Sequence, residues 1–523
     1  MRHFTITFQP DGKRISIHAG STLLEAAQKA GIILNSACGG RGICQKCVVL
    51  IQPACKQTLA CQYNIDSDLT VTVPAGSRLF EQKILEHGID REIETTYVKP
   101  AGAKEVFGLA VDIGTTTVVA KLIDLDDGKL IAAEADFNPQ SVHGDDVVSR
   151  ITFAQNDELL TELQKLIVGC INKLISRLCR DTGIDSDCIC EMTVVGNTTM
   201  THIFLRLPVA QLGQAPYKAH SLDAHDTPAE NLGMKINPKA NIHVVENIAG
   251  FVGSDIVAAA LAVDINLAEQ LTLLVDIGTN GELICGDKNK LYAASCAAGP
   301  ALEGARISQG SRAVNGAIES VYINDGDIDV DVIGDGQPSS ICGSGLIDAV
   351  AIMLDSGVLD STGRISKPAA AKTRLPPAIT RRIIIENDQP AFVLTFNDDG
   401  SPSVILTQQD IREVQLAKAA IAAGIKLLLK KLNIKEDDLD QILLAGAFGN
   451  YIKRSSAIRI GLLPRIPEEK IHFVGNAASS GARMILLNRT ARELAGYLAR
   501  RIEYVEIAHE PEFMNIYTNA MIF

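Results

Sequence analysis

The sequence predicts a mixed α/β protein in three parts: a small cysteine-rich domain over residues 1–78, a linker over 79–105, and a large two-lobed body over 106–523. Three observations carry this. Five of the 12 cysteines fall before residue 78. Strand and helix patterns alternate from Val106 onward, the signature of α/β folds. One phrase, Val-Asp-Ile-Gly-Thr, occurs at Val111 and again at Val275, which predicts two related lobes at about 106–270 and 271–523 rather than a short-period repeat.

Composition narrows the function. With no Trp and 4% aromatics, the cores are aliphatic and aromatic stacking platforms are scarce. A net charge of -13 argues against nucleic acid as a partner, because displacing phosphate counterions needs clustered positive charge. The most basic stretch, Arg364 to Arg382, is rich in Pro and Ala and reads as a solvated surface loop. No apolar run reaches the ~18–20 residues of a membrane span, and MRHFTITF lacks the apolar core of a signal peptide. The expectation is a cytoplasmic protein with no membrane partner. In that reducing compartment 12 cysteines are metal ligands or free thiols rather than a disulfide framework.

The first part reads element by element. His3 to Phe8 alternates as a strand, Asp11-Gly12 is a hairpin turn, and Lys13 to His18 returns. Thr22 and Glu25 have capping-box spacing for a helix over Leu23 to Ala30, which Gly31 stops. The glycine-rich loop SACGGRGICQKC follows, then late strands ending at Leu69 to Val73. This is the β-grasp order of 2Fe–2S ferredoxins.

The cysteine spacing is C-x5-C-x2-C-x13-C over Cys38, Cys44, Cys47 and Cys61. Plant-type ferredoxins have C-x4-C-x2-C and a distant fourth cysteine, one residue fewer in the first gap. Thiolates are soft ligands suited to iron–sulfur clusters, and Gly39, Gly40 and Gly42 let backbone amides approach the cluster sulfurs. Zinc is the alternative, but it favours two short C-x2–4-C knuckles, and Cys55 and Cys61 are six apart. Cys55 competes with Cys61 as the fourth ligand. The run Thr58-Leu-Ala-Cys61-Gln resembles the ferredoxin segment around the last ligand, so Cys61 is chosen.

In the large part, Asp112-Ile-Gly114-Thr115-Thr116-Thr117 sits at a strand–turn–strand. Gly114 allows a phosphate to approach, the threonines donate to it, and Asp112 suits a hydrated Mg²⁺. Asp276-Ile-Gly278-Thr279-Asn280-Gly281-Glu282 repeats the design, so two hairpins can clamp a polyphosphate. Two further glycine turns, Gly343-Ser344 before a helix and Gly446 to Gly449-Asn450 after a strand, offer free amides. Neither the Walker A pattern nor the Rossmann fingerprint is convincing here.

This order is similar to the actin, sugar-kinase and Hsp70 superfamily (ASKHA): phosphate 1 at Asp112–Thr117, phosphate 2 at Asp276–Glu282 and an adenosine turn near Gly446–Asn450. A ferredoxin fused to that ATPase fold resembles the reductive activators of corrinoid proteins. Gly196-Asn-Thr-Thr-Met, Ala298-Gly-Pro-Ala-Leu-Glu-Gly-Ala, Ile341-Cys-Gly-Ser-Gly and Ala417-Lys-Ala-Ala-Ile-Ala-Ala-Gly agree with it. Two departures stand out: 79–105 is too short for the extra domain some members carry, and no C-terminal 4Fe–4S cysteine run is present.

The resemblance implies ATP-dependent reduction of inactive Co(II) corrinoid to Co(I) in a methyltransferase system. It implies a 2Fe–2S cluster, ATP and Mg²⁺ as cofactors, and a corrinoid protein, a low-potential electron donor and a second copy of the chain as partners. Asp112 and Asp276 would serve catalysis, and Glu282 is the candidate for orienting water. Rival readings are an ATP-driven electron injector for another low-potential metalloenzyme, a nucleotide-gated redox sensor, and a small-molecule kinase using Asp255. Helix capping is the plainer use of Asp255.

Overall fold

Alternating apolar and polar residues build the first sheet. Strands β1 (His3–Gln9), β2 (Lys13–His18), β3 (Val48–Ile51), β4 (Lys56–Leu59) and β5 (Leu69–Thr72) lie in the order β2-β1-β5-β3-β4. β1 runs antiparallel to β2 and parallel to β5, the β-grasp arrangement. Ile6, Phe8, Ile17, Val49 and Val71 pack with Leu23, Ala26 and Ala27 of helix Leu23–Lys29 in one core. The capping box forms: the Thr22 N–H donates to Glu25 Oε2 at 2.7 Å and the Glu25 N–H to Thr22 Oγ1 at 3.2 Å. The computed structural model describes residues 3–9, 12–30, 32, 34, 47–52, 56–74, 93–99, 105–144, 146–304, 306–311, 313–334, 336–446 and 452–523.

The large body holds two six-stranded sheets. The first contains β6 (Phe107–Ile113), β7 (Thr117–Asp124), β8 (Leu130–Phe137), β9 (Ile189–Gly196), β10 (His225–Pro228) and β11 (Asn241–Val244), ordered β10-β11-β9-β6-β7-β8. The second begins with β12 (Thr272–Ile277), β13 (Gly281–Gly286) and β14 (Leu291–Cys296). Six strands then form two smaller sheets: β15 (Ala317–Asn324), β16 (Asp327–Val332) and β17 (Ser340–Ile341), then β18 (Ile383–Glu386), β19 (Gln389–Phe396) and β20 (Pro402–Thr407). β21 (Gln441–Ala445), β22 (Ile471–Gly475) and β23 (Glu503–Tyr504) complete the second large sheet, ordered β22-β21-β12-β13-β14-β23.

The two large sheets are built alike. Each opens with a three-stranded antiparallel meander, β6-β7-β8 or β12-β13-β14. Two more strands then add in parallel beside the first, β9 and β11 or β21 and β22. β6 and β12 are almost wholly buried aliphatic strands, as central strands of a covered sheet must be. The repeated Asp-Ile-Gly-Thr phrase is therefore the first hairpin of each lobe.

A shared core joins the lobes. Helices Ser254–Ala262 and Ala477–Leu487 pack on each other there, with Ala110 and Ile123 from the first sheet and Leu274 and Ile284 from the second. They cross so closely that a Cβ on Gly481 would lie 2.0 Å from the Ala258 carbonyl oxygen.

The cysteine-rich domain rests on the second lobe. Lys29 Nζ lies 2.6 Å from Asp331 Oδ1 of β16, and the His18 and Tyr322 rings are 5.7 Å apart. Of the linker, residues 93–99 run along the interlobe helices: the Thr96 N–H donates to Leu487 O, and Asn488 Nδ2 donates to Glu94 O, both at 2.9 Å. No described helix is long and apolar enough to cross a membrane. The basic stretch departs from its reading as a solvated loop at its end. Arg382 is buried, pairs with Asp327 at 2.6 Å, and donates to the carbonyls of Ile328, Val393 and Leu394.

Two outcomes follow from these contacts. Gly481→Val is expected to cost on the order of 3 kcal/mol, because overpacking a tight helix crossing forces the backbones apart; chemical denaturation measures it. Lys29→Glu is expected to release the cysteine-rich domain, enlarging the radius of gyration in small-angle scattering. The Lys29→Glu, Asp331→Lys swap should restore the smaller value.

Candidate functional site

One cleft of about 790 Å³ opens where the two hairpins face each other. Asp112, Gly114, Thr115, Thr116 and Thr117 line it from the first lobe, and Asp276, Gly278, Thr279, Asn280 and Glu282 from the second. Gly446, the residue after β21, lines it too, with a φ of +90°. A side chain there would meet Asp276 Oδ1 at 2.7 Å, so only glycine allows both the conformation and the approach.

The first hairpin is braced from beneath. Arg150 is fully buried; its Nη2 donates to Thr115 O at 2.5 Å and its Nη1 to Gln140 Oε1 at 3.2 Å. Asn138 Nδ2 donates to Gly114 O at 2.9 Å, and Asn197 Nδ2 to Thr115 Oγ1 at 2.9 Å. A buried guanidinium under a loop favours an anion above it.

The hairpins touch through side chains. Thr116 Oγ1 and Thr279 Oγ1 are 2.9 Å apart, and both donate to Glu303 Oε2, at 3.2 and 2.8 Å. Two helix starts add polar groups. Asn476 caps helix Ala477–Leu487 through the Ser479 N–H, and its Nδ2 donates to Asp112 Oδ2 at 3.3 Å. Asp255 lies in the first turn of helix Ser254–Ala262.

Five carboxylates, Asp112, Asp255, Asp276, Glu282 and Glu303, thus line one cleft. Burial pushes Asp112 up to about 6, opposed by the Asn476 hydrogen bond and the Lys121 charge. Burial, then repulsion from Asp112 and Glu303, pushes Asp276 up to about 7. Burial and like-charge neighbours also raise Asp255 and Glu282. Carboxylates crowded in this way fit a divalent cation, which would relieve the repulsion while keeping several of its own waters.

Several sequence-predicted residues fall elsewhere. Gly343 and Ser344 do not line the cleft. Ser344 Oγ donates to Glu319 O at 2.8 Å, so this turn fastens helix Gly343–Asp355 to β15. Gly281 is also outside; it faces Ile421 of helix Gln408–Leu432, at 2.7 Å from an added Cβ. Gly449 and Asn450 lie outside the described residues, as do Cys38, Cys44 and Cys55. Cys47 and Cys61 are both buried in the β-grasp core, with Sγ atoms 3.4 Å apart and Gln62 Nε2 3.7 Å from Cys61 Sγ. Two thiols converging from separate segments fit joint ligation of one metal group.

Asp255 is not the cap of its helix, which is Gly253, and it faces the cleft instead. Sequence reasoning also missed Arg150, Asn197, Glu303 and Asn476. One signal was available for two of them. Val-Gly-Asn occurs at Val195-Gly196-Asn197 and at Val474-Gly475-Asn476, each time at a strand end with the Asn capping the next helix. Arg150 carries no such mark, and Glu303 lies within the Ala298-Gly-Pro-Ala-Leu-Glu-Gly-Ala phrase with no role attached to it.

A β-grasp domain with paired thiols, attached to a duplicated body whose hairpins share one cleft, defines a nucleotide-dependent redox protein. Three family matches run in order along the chain: a 2Fe-2S iron-sulfur cluster binding domain over residues 4–76, the RACo middle region over 107–268, and the C-terminal domain of RACo, the ASKHA domain, over 270–523. The chain is 32% identical to the corrinoid activation enzyme RamQ of Eubacterium limosum, over 98% of each chain. It is 25% identical to the methylated amine-specific Co(II) corrinoid protein reductase of Methanosarcina barkeri, over 79% of this chain and 76% of that one. A solved reductive activator for a corrinoid, iron–sulfur protein matches with a TM-score of 0.74 and 30% identity, over 99% of this chain and 98% of that one. The chain belongs to the RACo family. It carries the ASKHA ATPase fold and a 2Fe–2S ferredoxin domain, with the cluster, ATP and Mg²⁺ as its cofactors.

The cleft sets a pH dependence. Asp112 and Asp276 hold their protons to about 6 and about 7 in the folded chain, against 3.8 when unperturbed. Their contribution favours the fold below pH 3.8 and is lost as pH rises through those values. The nucleotide-free protein is therefore expected to lose melting temperature from about pH 4 to about pH 7. Mg²⁺–ATP should restore more of it at the upper end, and a stabilisation that does not grow with pH would contradict the assignment.

Proposed function

We propose that this chain is an ATP-dependent reductive activator of corrinoid proteins. It accepts an electron from a low-potential donor and delivers it to a corrinoid protein of a methyltransferase system, returning inactive Co(II) to Co(I). The observation that carries this reading is the junction of two facing Asp-Ile-Gly-Thr hairpins with a ferredoxin domain on one chain. The names of its relatives support the corrinoid as the electron's destination.

In this reading Cys38, Cys44, Cys47 and Cys61 hold the 2Fe–2S cluster, and Cys55 is a spare thiol. When bound, the cluster supplies a one-electron carrier, near −400 mV in plant-type ferredoxins, and each ~100 mV of uphill gap costs ~2.3 kcal/mol. Asp112 and Asp276 hold a hydrated Mg²⁺. Thr115, Thr116, Thr117, Thr279 and Asn280 donate to phosphate oxygens, and Gly114 and Gly278 leave room for them. Gly446, with Gly449 and Asn450, flanks the adenosine. Asp255 now joins Glu282 as a candidate for orienting water, because it faces the cleft from the opposite lobe. ATP held by hairpins of both lobes changes the shape that meets the corrinoid protein. The division into 1–78, 79–105 and 106–523, a homodimeric assembly and a cytoplasmic location belong to the same reading.

The test is optical. The cob(II)alamin-to-cob(I)alamin change of candidate corrinoid proteins is recorded with the reduced protein, with and without Mg²⁺–ATP. Formation of Co(I) that needs both the cluster and ATP is expected. Reduction indifferent to ATP, or ATP turnover indifferent to every corrinoid protein offered, would overturn the reading. Cys61→Ser is expected to change the EPR signal of the reduced cluster, and Cys55→Ser to leave it unchanged.

A further inference from the structure

Glu303 lies in the phrase Ala298-Gly-Pro-Ala-Leu-Glu-Gly-Ala, whose sequence alone assigned it no role. It ends a single helical turn, Pro300–Glu303, which Gly304 closes in the left-handed region at φ +84°. This turn belongs to the second lobe, yet its carboxylate reaches a hydroxyl from each hairpin, Thr116 of the first lobe and Thr279 of the second. Three residues on, Arg306 also reaches the first lobe, its Nη2 3.7 Å from Asp146 Oδ2. Glu303 and Arg306 thus tie the two lobes together beside the phosphate hairpins.

A threonine hydroxyl has one hydrogen to give. With Glu303 in place, the hydroxyls of Thr116 and Thr279 lie 3.2 and 2.8 Å from its Oε2 and 2.9 Å from each other, so both hydrogens are taken up within this three-way cluster. A phosphate brought to the same two hydroxyls would also meet a carboxylate of its own sign. The carboxylate and a terminal phosphate therefore exclude each other at this point.

We propose that Glu303 is a latch: its carboxylate occupies the hydroxyl donors that the terminal phosphate of ATP needs, and ATP binds only by displacing it. The proposal rests on the reading of this cleft as the phosphate site. It makes the γ-phosphate, rather than the nucleotide in general, the signal that frees the Pro300–Glu303 turn. A diphosphate leaves Thr116, Thr279 and Glu303 joined; a triphosphate parts them and releases one tie between the lobes.

The test uses the full-length protein with its cluster, titrated calorimetrically with Mg²⁺ and either adenylyl imidodiphosphate or ADP. Glu303→Gln removes the charge at constant size, and Glu303→Ala removes the acceptor. Both are expected to bind the triphosphate analogue about tenfold more tightly than the wild type, with ADP changed less than about twofold. Unchanged or weaker binding of the analogue by both variants overturns the latch, as does a fall in ATP turnover at unchanged affinity, which would make Glu303 a base. Gly278→Val separates the two levels of the argument. Gly278 lacks a positive φ and a Cβ there meets nothing nearer than 3.6 Å, so the side chain is accommodated and fills the cleft. Loss of analogue binding in Gly278→Val with no gain in the Glu303 variants overturns the latch alone. Wild-type affinity in Gly278→Val overturns the cleft reading and the latch with it.

Discussion

The close crossing of helices Ser254–Ala262 and Ala477–Leu487 is the constraint on which the site depends. Small residues at the crossing, Ala258 against Gly481, let two backbones approach until a single added carbon would collide. Because both helices begin at the cleft, that crossing also sets where Asp255 and Asn476 stand. Packing at the crossing and chemistry at the cleft are therefore one design. A shift in the helix crossing moves the polar groups facing the hairpins.

The duplicated lobes make the cleft both polar and closed from two sides. Each contributes a hairpin whose strands are held by buried aliphatic residues and whose turn is free to carry threonine, asparagine and glycine. A rigid frame with a polar rim suits a ligand that must be held by both lobes at once. Buried acidic residues around it are unfavourable without a cation, and Arg150, held by Gly144 O, Gln140 and Thr115 O, fixes the first turn from below. A cation brought in with a polyphosphate relieves that crowding of carboxylates.

Among the described residues, Lys29 with Asp331 and His18 with Tyr322 join the β-grasp domain to the β15–β16 hairpin, while its own core packs without them. An exchangeable surface of this kind suits an electron carrier that must meet more than one partner. The same hairpin is linked to helix Gly343–Asp355, since Lys453 pairs with Asp348 and donates to Ser320 Oγ, both at 2.8 Å. Gly343-Ser344 therefore helps hold the β15–β16 hairpin on which the ferredoxin domain rests.

The sequence by itself determined what local spacing can encode. Period-two alternation and a capping box defined the β-grasp elements, and Cys47 and Cys61 do meet in its core. The doubled Asp-Ile-Gly-Thr phrase defined two hairpins and implied that they face each other, because one strand–turn–strand carries its own geometry. Only the tertiary structure decided which residues far apart in the chain complete the site. Asp255 and Asn476 are delivered by helix starts, Glu303 by the four-residue turn Pro300–Glu303, and Arg150 from below. None is near a hairpin in sequence, so no spacing rule could place them. Ser344 shows the converse: a glycine turn before a helix is ready to bind an anion anywhere, and packing alone fixed whether it faced the cleft or a neighbouring strand.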